Sequence, residues 1–131
     1  MNEDEVIAIL ERDPGNSVFA DYAQALHAGE RSADAVITCL RGLTHNPSFH
    51  KGRLLLAKLF YDLGFLSFCL EQLRVIAEAI PDNKSLRKLL NKLAPSDDSV
   101  KNSSSQNISH TYAEVEFNLG DVDLIEDQGE Q

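Results

Sequence analysis

The sequence predicts an all-α fold of repeated helical hairpins, about six helices in all, followed by a flexible acidic C-terminal tail. Three observations lead to this prediction. Apolar residues up to position 94 recur at spacings of three and four, which is the periodicity of amphipathic helices. Prolines at positions 14, 47 and 81 divide this part at nearly even intervals, and the composition changes abruptly after Ala94. We therefore expect a helical repeat domain over residues 1–94 and an acidic, Ser-rich, disordered segment over residues 95–131.

A pattern of large, small and turn-forming residues occurs twice in the chain. When the two copies are aligned, Phe19 of the first matches Arg53 of the second. We call the distance between matching positions the repeat interval. The first copy contains Phe19, Tyr22, Ala23, Leu26, Ala35, Cys39 and Pro47, and the second contains Arg53, Leu56, Ala57, Phe60, Cys69, Leu73 and Pro81. Small residues at the alanine and cysteine positions allow two helices to approach closely. This pattern resembles the tetratricopeptide repeat, a helix-turn-helix unit of about 34 residues. The resemblance implies two full repeats with a half repeat at each end.

The second copy departs from the family pattern at its start. Arg53 stands where a large apolar residue is usual, and Gly42 and Ile76 stand where alanine is common. Because arginine has a long apolar stem, we expect Arg53 to bury that stem and keep its charged head in water.

The first three helices are predicted from their caps and apolar stripes. Residues 3–12 form a short amphipathic helix with acids in its first turn, ended by Asp13, Pro14 and Gly15. Asn16 or Ser17 caps the second helix, which runs to Ala28 and ends at Gly29. Ser32 is expected to cap the third helix.

The next three helices follow in the same way. Residues 48–63 form a helix stopped by Gly64, and residues 65–79 form its unusually apolar partner. Asp82 or Asn83 caps a last helix that runs to Leu93, with leucines on one face and lysines and an arginine on the other. Such a polar outer face is what a terminal repeat helix requires. Exposed repeat ends also make a homo-oligomer a reasonable hypothesis.

The net charge of −9 is concentrated in the tail. Residues 1–95 contain 11 basic and 12 acidic side chains, whereas residues 96–131 contain one lysine and nine acids. Apolar residues alternate with these acids near the C-terminus, and they form a candidate binding motif over residues 112–127: Val115, Phe117, Leu119, Val122, Leu124 and Ile125. We expect this stretch to be disordered alone and to become extended or helical on binding. It either docks on the groove of its own chain, binds another protein, or only adds solubility.

The resemblance implies a binding groove as well, because in this family the first helix of each repeat lines a concave face that holds a peptide or a partner helix. Carried onto this chain, the groove residues are Gln24, His27, Lys51, Leu54, Lys58, Tyr61, Lys88 and Lys92, together with Ser17 and Ala20. The four lysines would form a basic strip that favours an acidic protein or peptide partner with a few apolar anchors. The alternative is that they are ordinary solvated lysines. Ala20, Gln24 and Leu54 do not match the family's carboxylate clamp, so binding to chaperone C-termini is disfavoured.

Other classes of function find no support in the sequence. The four histidines lie on different predicted elements and do not have the spacing of zinc ligands. The sequence also contains no glycine-rich loop of the kind that binds phosphate. We therefore expect neither an enzyme nor a metal or other cofactor. The acidic balance argues against nucleic acid, and no apolar run is long enough to span a membrane. Cys39 and Cys69 fall on core-facing positions, which suits buried thiols in a reducing cytoplasm.

The sequence therefore predicts a cytoplasmic, non-catalytic adaptor or scaffold that binds a protein partner in its concave face. The alternative from another class is a dedicated chaperone that holds one client, as the small tetratricopeptide-type chaperones of secretion systems do.

Overall fold

A computed structural model describes residues 2–94 and 116–124 of the chain. The first range contains six α-helices, and the second contains a single 3₁₀ turn, Leu119–Asp121. The helices are α1 Glu3–Arg12, α2 Val18–Ala28, α3 Ser32–His45, α4 His50–Asp62, α5 Leu66–Ala79 and α6 Lys84–Leu93. No strand is present among the described residues, so the predicted all-α architecture is confirmed. The disorder predicted for the tail falls mostly on residues 95–115 and 125–131, which lie outside the described ranges.

The helix ends repeat with the period found in the sequence. Helix α3 begins at Ser32 and ends at His45, and α5 begins at Leu66 and ends at Ala79, so both ends are displaced by one repeat interval. The first residues of α4 and α6, His50 and Lys84, are separated by the same interval. The repeat in side-chain type is therefore also a repeat in backbone structure.

Helices α2 and α4 end in the same backbone motif. The amide of Arg31 donates to the carbonyl of Leu26 at 2.8 Å, and one repeat interval later the amide of Phe65 donates to the carbonyl of Phe60 at the same distance. This six-to-one bond defines the Schellman motif, in which the residue before the donor adopts a left-handed conformation. Gly64 holds that position in the second copy with φ of 88°, whereas Glu30 holds it in the first with φ of 65°. A residue with a Cβ atom is thus strained at the end of α2.

The chain divides into two units, Met1–Gln72 and Leu73–Gln131. In the first unit α2 packs against α3 and α4, and α1 packs against α2. The small residues expected at close helix approaches are fully buried: Ala23, Ala35, Ala57 and Cys69. In the second unit the buried apolar side chains are Leu73, Ile76, Leu86, Leu89, Leu93, Phe117 and Val122.

Phe19 occupies a slot that two glycines make possible. Its fully buried ring lies against Gly42 of α3 and Gly52 of α4, where an added Cβ would come within 2.2 Å and 2.7 Å of ring atoms. The Phe49 ring meets it edge-on with the centroids 5.5 Å apart. Gly42 is therefore needed for packing, in a helix interior where alanine would otherwise be preferred.

The predicted caps are confirmed at α6 and wrong at α3. The Asn83 side chain accepts from the Leu86 amide at 2.9 Å, as expected for the residue that caps α6. At α2 it is Asn16, rather than Ser17, that accepts a backbone amide. Helix α3 begins at Ser32 itself, so Arg31 holds the cap position and makes no side-chain cap; the Ser32 hydroxyl lies 2.8 Å from His27 Nδ1.

The head of Arg53 is not simply solvated, contrary to expectation. The guanidinium donates to Gln72 Oε1 at 2.9 Å and to the Pro47 carbonyl at 3.2 Å. Its Nε is buried without a hydrogen-bond partner among the described residues, as is Nδ1 of His50. Burial, followed by the nearby Arg53 charge, lowers the pKa of His50.

Candidate functional site

The predicted groove residues of the first unit differ in their accessibility. Gln24 and Lys51 are exposed, and His27, Lys58 and Tyr61 are half-buried. Leu54 is only 4% exposed and belongs to the core, like Ala20. The polar members of the predicted set are therefore the ones that face solvent on this unit.

Two of these residues, His27 and Lys58, meet at the carboxylate of Asp62, which was not among the predicted groove residues. Asp62 accepts from Lys58 Nζ at 2.9 Å through one oxygen and lies 2.9 Å from His27 Nε2 through the other. The Lys58 ammonium also lies 5.7 Å from the centre of the Tyr61 ring. The spacing of Lys58 and Asp62, four positions apart on one helix, is a signal that could have pointed to Asp62.

His27 extends this cluster into a Ser–His–Asp series. Its Nδ1 lies 2.8 Å from Ser32 Oγ, and its Nε2 lies 2.9 Å from Asp62. A series of nucleophile, base and orienting carboxylate is found in acyl-transfer enzymes, but there Nε2 of the histidine faces the serine and Nδ1 faces the carboxylate, so the two nitrogens are exchanged here. Here, however, Asp62 is also paired with Lys58, and the His27 and Asp62 side chains are 29% and 27% exposed, so water competes for the same hydrogen bonds. We assign the series a structural role, because it joins the last turn of α2, the first turn of α3 and the last turn of α4.

A second site lies in the second unit, where residues 116–124 run over α6. A cavity of about 540 Å³ is lined by both elements. Helix α6 contributes Lys84, Ser85, Lys88, Leu89 and Lys92, and the segment contributes Glu116, Asn118, Asp121 and Val122. Two of the predicted groove lysines, Lys88 and Lys92, therefore face acidic residues of the tail. We call this arrangement the α6 site.

The main chain of the segment is held at one residue by two side chains. Asn83 Nδ2 donates to the carbonyl of Asp123 at 2.8 Å, and the amide of Asp123 donates to Ser85 Oγ at 3.0 Å. Asn83 is fully buried, and its Oδ1 also accepts from the Ser85 hydroxyl at 2.8 Å. We call this pair of contacts to Asp123 the backbone clamp. Asn83 was predicted only as one of two candidate caps of α6, with Asp82 as the other, and nothing in the sequence marked it as a contact of the tail.

Two apolar side chains of the predicted tail motif are buried. Phe117 is 1% exposed and Val122 is 8% exposed, whereas Leu119 and Leu124 are half-buried. Val115 and Ile125 lie outside the described residues. The 3₁₀ turn lies between the two buried side chains, and the residues that flank the turn, Asn118 and Val122, are extended.

The segment occupies the stripe of α6 that corresponds to the predicted groove. Lys88 and Lys92 lie one repeat interval after Leu54 and Lys58, and Ser85 lies the same interval after Lys51. These positions are among, or one repeat interval from, those predicted to line the groove. Residues 116–124 therefore lie against positions of α6 in this register.

Comparisons with protein-family models, with curated proteins and with solved structures find no match to this chain. The described residues contain no group of three or more histidine, cysteine or acidic side chains placed to hold a metal ion. None of the described helices combines the length and the apolar character needed to cross a membrane.

Proposed function

We propose that this protein is a non-catalytic adaptor of the tetratricopeptide type, which binds an extended acidic peptide of a partner protein at the α6 site. The observation that supports the proposal best is the position of residues 116–124 on α6. A segment of the chain that is acidic, with spaced apolar anchors, lies there as an extended peptide ligand would lie.

The chemistry of the α6 site suits such a ligand. Main-chain hydrogen bonds of the kind made by the backbone clamp supply affinity to an extended peptide, and apolar pockets for some of its side chains supply specificity. Lys84, Lys88 and Lys92 add positive charge along the same cavity, which favours acidic peptides and speeds their association. Free thiols at Cys39 and Cys69 fit a reducing compartment, so we place the adaptor in the cytoplasm.

The proposal is tested by selecting peptides from a random display library against the full chain. Selection should enrich peptides with several acids and two apolar residues. Charge reversal at Lys88→Glu and Lys92→Glu should remove this enrichment. Arg87→Glu is the matched control, because Arg87 is on the same helix but borders a different cavity, lined by Ala77, Pro81 and Asp82. The proposal would be refuted if the wild-type chain enriched peptides without acidic preference. It would also be refuted if the Lys88→Glu and Lys92→Glu variants enriched acidic peptides as strongly as the wild-type chain does.

A cluster of exposed aromatic residues favours the alternative, a chaperone that holds one client. Phe65 and Phe68 are 52% and 51% exposed, and their rings lie 6.0 Å apart beside that of Phe60. Exposed apolar patches of this kind commonly contact other proteins. Under this alternative, Phe65→Ser with Phe68→Ser should abolish co-purification of a client, and Lys88→Glu should leave it unchanged.

A further inference from the structure

We infer that residues 116–124 are a resident ligand of the α6 site, and that partners bind by presenting the same signature and displacing them. The signature is an aromatic anchor, an aliphatic anchor five positions later, and next to it a residue whose main chain enters the backbone clamp. In this chain the three positions are Phe117, Val122 and Asp123. The inference rests on the proposed function, since it names the ligand and the regulation of that same site.

The strongest argument is the chemistry of Asn83. Capping α6 requires only a side-chain oxygen, which aspartate or serine would supply equally well. The amide nitrogen of Asn83 is an additional buried donor, and a buried donor needs an acceptor. The Asp123 carbonyl fills that need at 2.8 Å. The residue at the start of α6 is therefore built for two tasks, capping the helix and holding an extended main chain.

The clamp reads the peptide backbone at both of its polar groups. Asn83 donates to the carbonyl of Asp123, and Ser85 accepts from its amide. The two clamp side chains are also hydrogen-bonded to each other at 2.8 Å. These contacts are made to main-chain atoms, so they do not depend on the side chain at that position. Any peptide with an extended residue there can satisfy them, and the two anchors must supply the selectivity.

The anchors fix the spacing that a competing peptide must have. Phe117 and Val122 are both buried, and the 3₁₀ turn Leu119–Asp121 lies between them. Glu116 and Asp121 line the cavity together with three lysines of α6. A partner peptide with the two anchors and flanking acids fits the same surface.

Covalent connection gives the resident segment an advantage over any free peptide. The stretch 95–115 joins α6 to the segment. A ligand on a short tether acts at an effective concentration on the order of millimolar. The site in the intact chain is thus closed to weak ligands, and weakening the resident segment should open it.

The test uses the full chain and a fluorescein-labelled peptide with the sequence of residues 112–127, followed by fluorescence anisotropy. Phe117→Ser weakens the resident segment without touching α6, so the peptide should bind at least tenfold more tightly than to the wild-type chain. Leu119→Ser is the matched control, because Leu119 is an apolar residue of the same segment that is only half-buried. Its affinity for the peptide should stay within threefold of the wild-type value.

A second pair of variants tests the clamp in the Phe117→Ser background. Asn83→Asp keeps a capping oxygen but removes the donor to residue 123, and Ser85→Ala removes the acceptor. Each should weaken peptide binding at least tenfold while the helical circular dichroism stays unchanged. Unchanged affinity in either variant would overturn the clamp.

The outcomes separate this inference from the proposed function. If wild-type and Phe117→Ser chains bind selected acidic peptides equally well, the adaptor proposal survives and the resident-ligand inference fails. If neither chain binds any peptide and Phe117→Ser only lowers the unfolding temperature, the segment is part of the fold and the adaptor proposal fails.

Discussion

Replacing Gly42 by alanine should destabilise the protein, although helix propensity alone predicts the opposite. In a solvent-exposed helix interior, Gly→Ala stabilises by about 1 kcal/mol. In α3 the added methyl group would lie 2.2 Å from Cδ2 and 2.4 Å from Cγ of Phe19. Carbon atoms pack at about 3.5–4.0 Å, so the ring would have to move by more than about 1 Å.

The ring of Phe19 is closely packed on two further sides. The backbone of Gly52 lies so near that an added Cβ there would be 2.7 Å from Cζ, and Phe49 packs against the ring edge-on. Overpacking of this kind costs about 1–3 kcal/mol. After subtracting the propensity gain of about 1 kcal/mol, we expect Gly42→Ala to lower the free energy of unfolding by up to about 2 kcal/mol.

Urea unfolding followed by circular dichroism measures this change. Gly29→Ala is the control, because an added Cβ there meets only ordinary contacts at 3.5 Å, and it should change the free energy of unfolding by less than about 0.5 kcal/mol. Combining Gly42→Ala with Phe19→Leu should recover part of the loss, since the smaller side chain leaves room for the methyl group. A stabilisation of about 1 kcal/mol by Gly42→Ala alone would refute the packing argument.

Three further predictions concern the turn after α2, the thiols and the polar series. Glu30→Gly should raise the free energy of unfolding by about 1 kcal/mol in urea denaturation, because it removes the strain of a left-handed residue, and a loss would count against this reading. Burial raises the pKa of Cys39 and of Cys69 to about 12, so neither thiol should react with Ellman's reagent at pH 8 until the protein unfolds. The free energy of unfolding should also fall as the pH rises above about 8.5, because the thiols then ionise only in the unfolded chain. Rapid labelling of the native protein would contradict both the burial of the thiols and this pH dependence. His27→Ala should lower the free energy of unfolding by about 1–2 kcal/mol, because it removes both hydrogen bonds of the polar series. The wild-type protein and the variant should both hydrolyse p-nitrophenyl acetate no faster than free imidazole does. A wild-type rate above that background that is lost in the variant would show catalysis.

The sequence predicted the helices well because their signals are local. The bounds of the first helix were predicted to the residue, Gly64 was identified as a stop, and Asn83 was one of two residues predicted to cap α6. Ser32 was misassigned because a serine at a helix start has two possible uses. Its hydroxyl binds His27, five positions away across a turn, and the sequence does not reveal this competitor.

The site was predictable only in part, because its decisive contacts are far apart in the sequence. The tail motif and the lysines Lys88 and Lys92 were recognisable from charge and spacing. The contact between Asn83 and Asp123 joins residues 40 positions apart, and no local pattern indicates it. The contact between His27 and Asp62 is equally hidden, because the two residues are 35 positions apart and lie on different helices, α2 and α4.

The recurrence of helix ends also limits how the gene for this protein can change. A block of one repeat interval that starts at Ser32 ends at Phe65, immediately before α5 begins. Duplicating or deleting that block returns the chain to the same point of its pattern, with every helix start and stop intact. An insertion of another size within a helix shifts the buried positions out of phase with the apolar stripe. Recombination can therefore alter the number of hairpins in whole steps, and repeat number rather than residue number is the unit in which such a protein can lengthen or shorten.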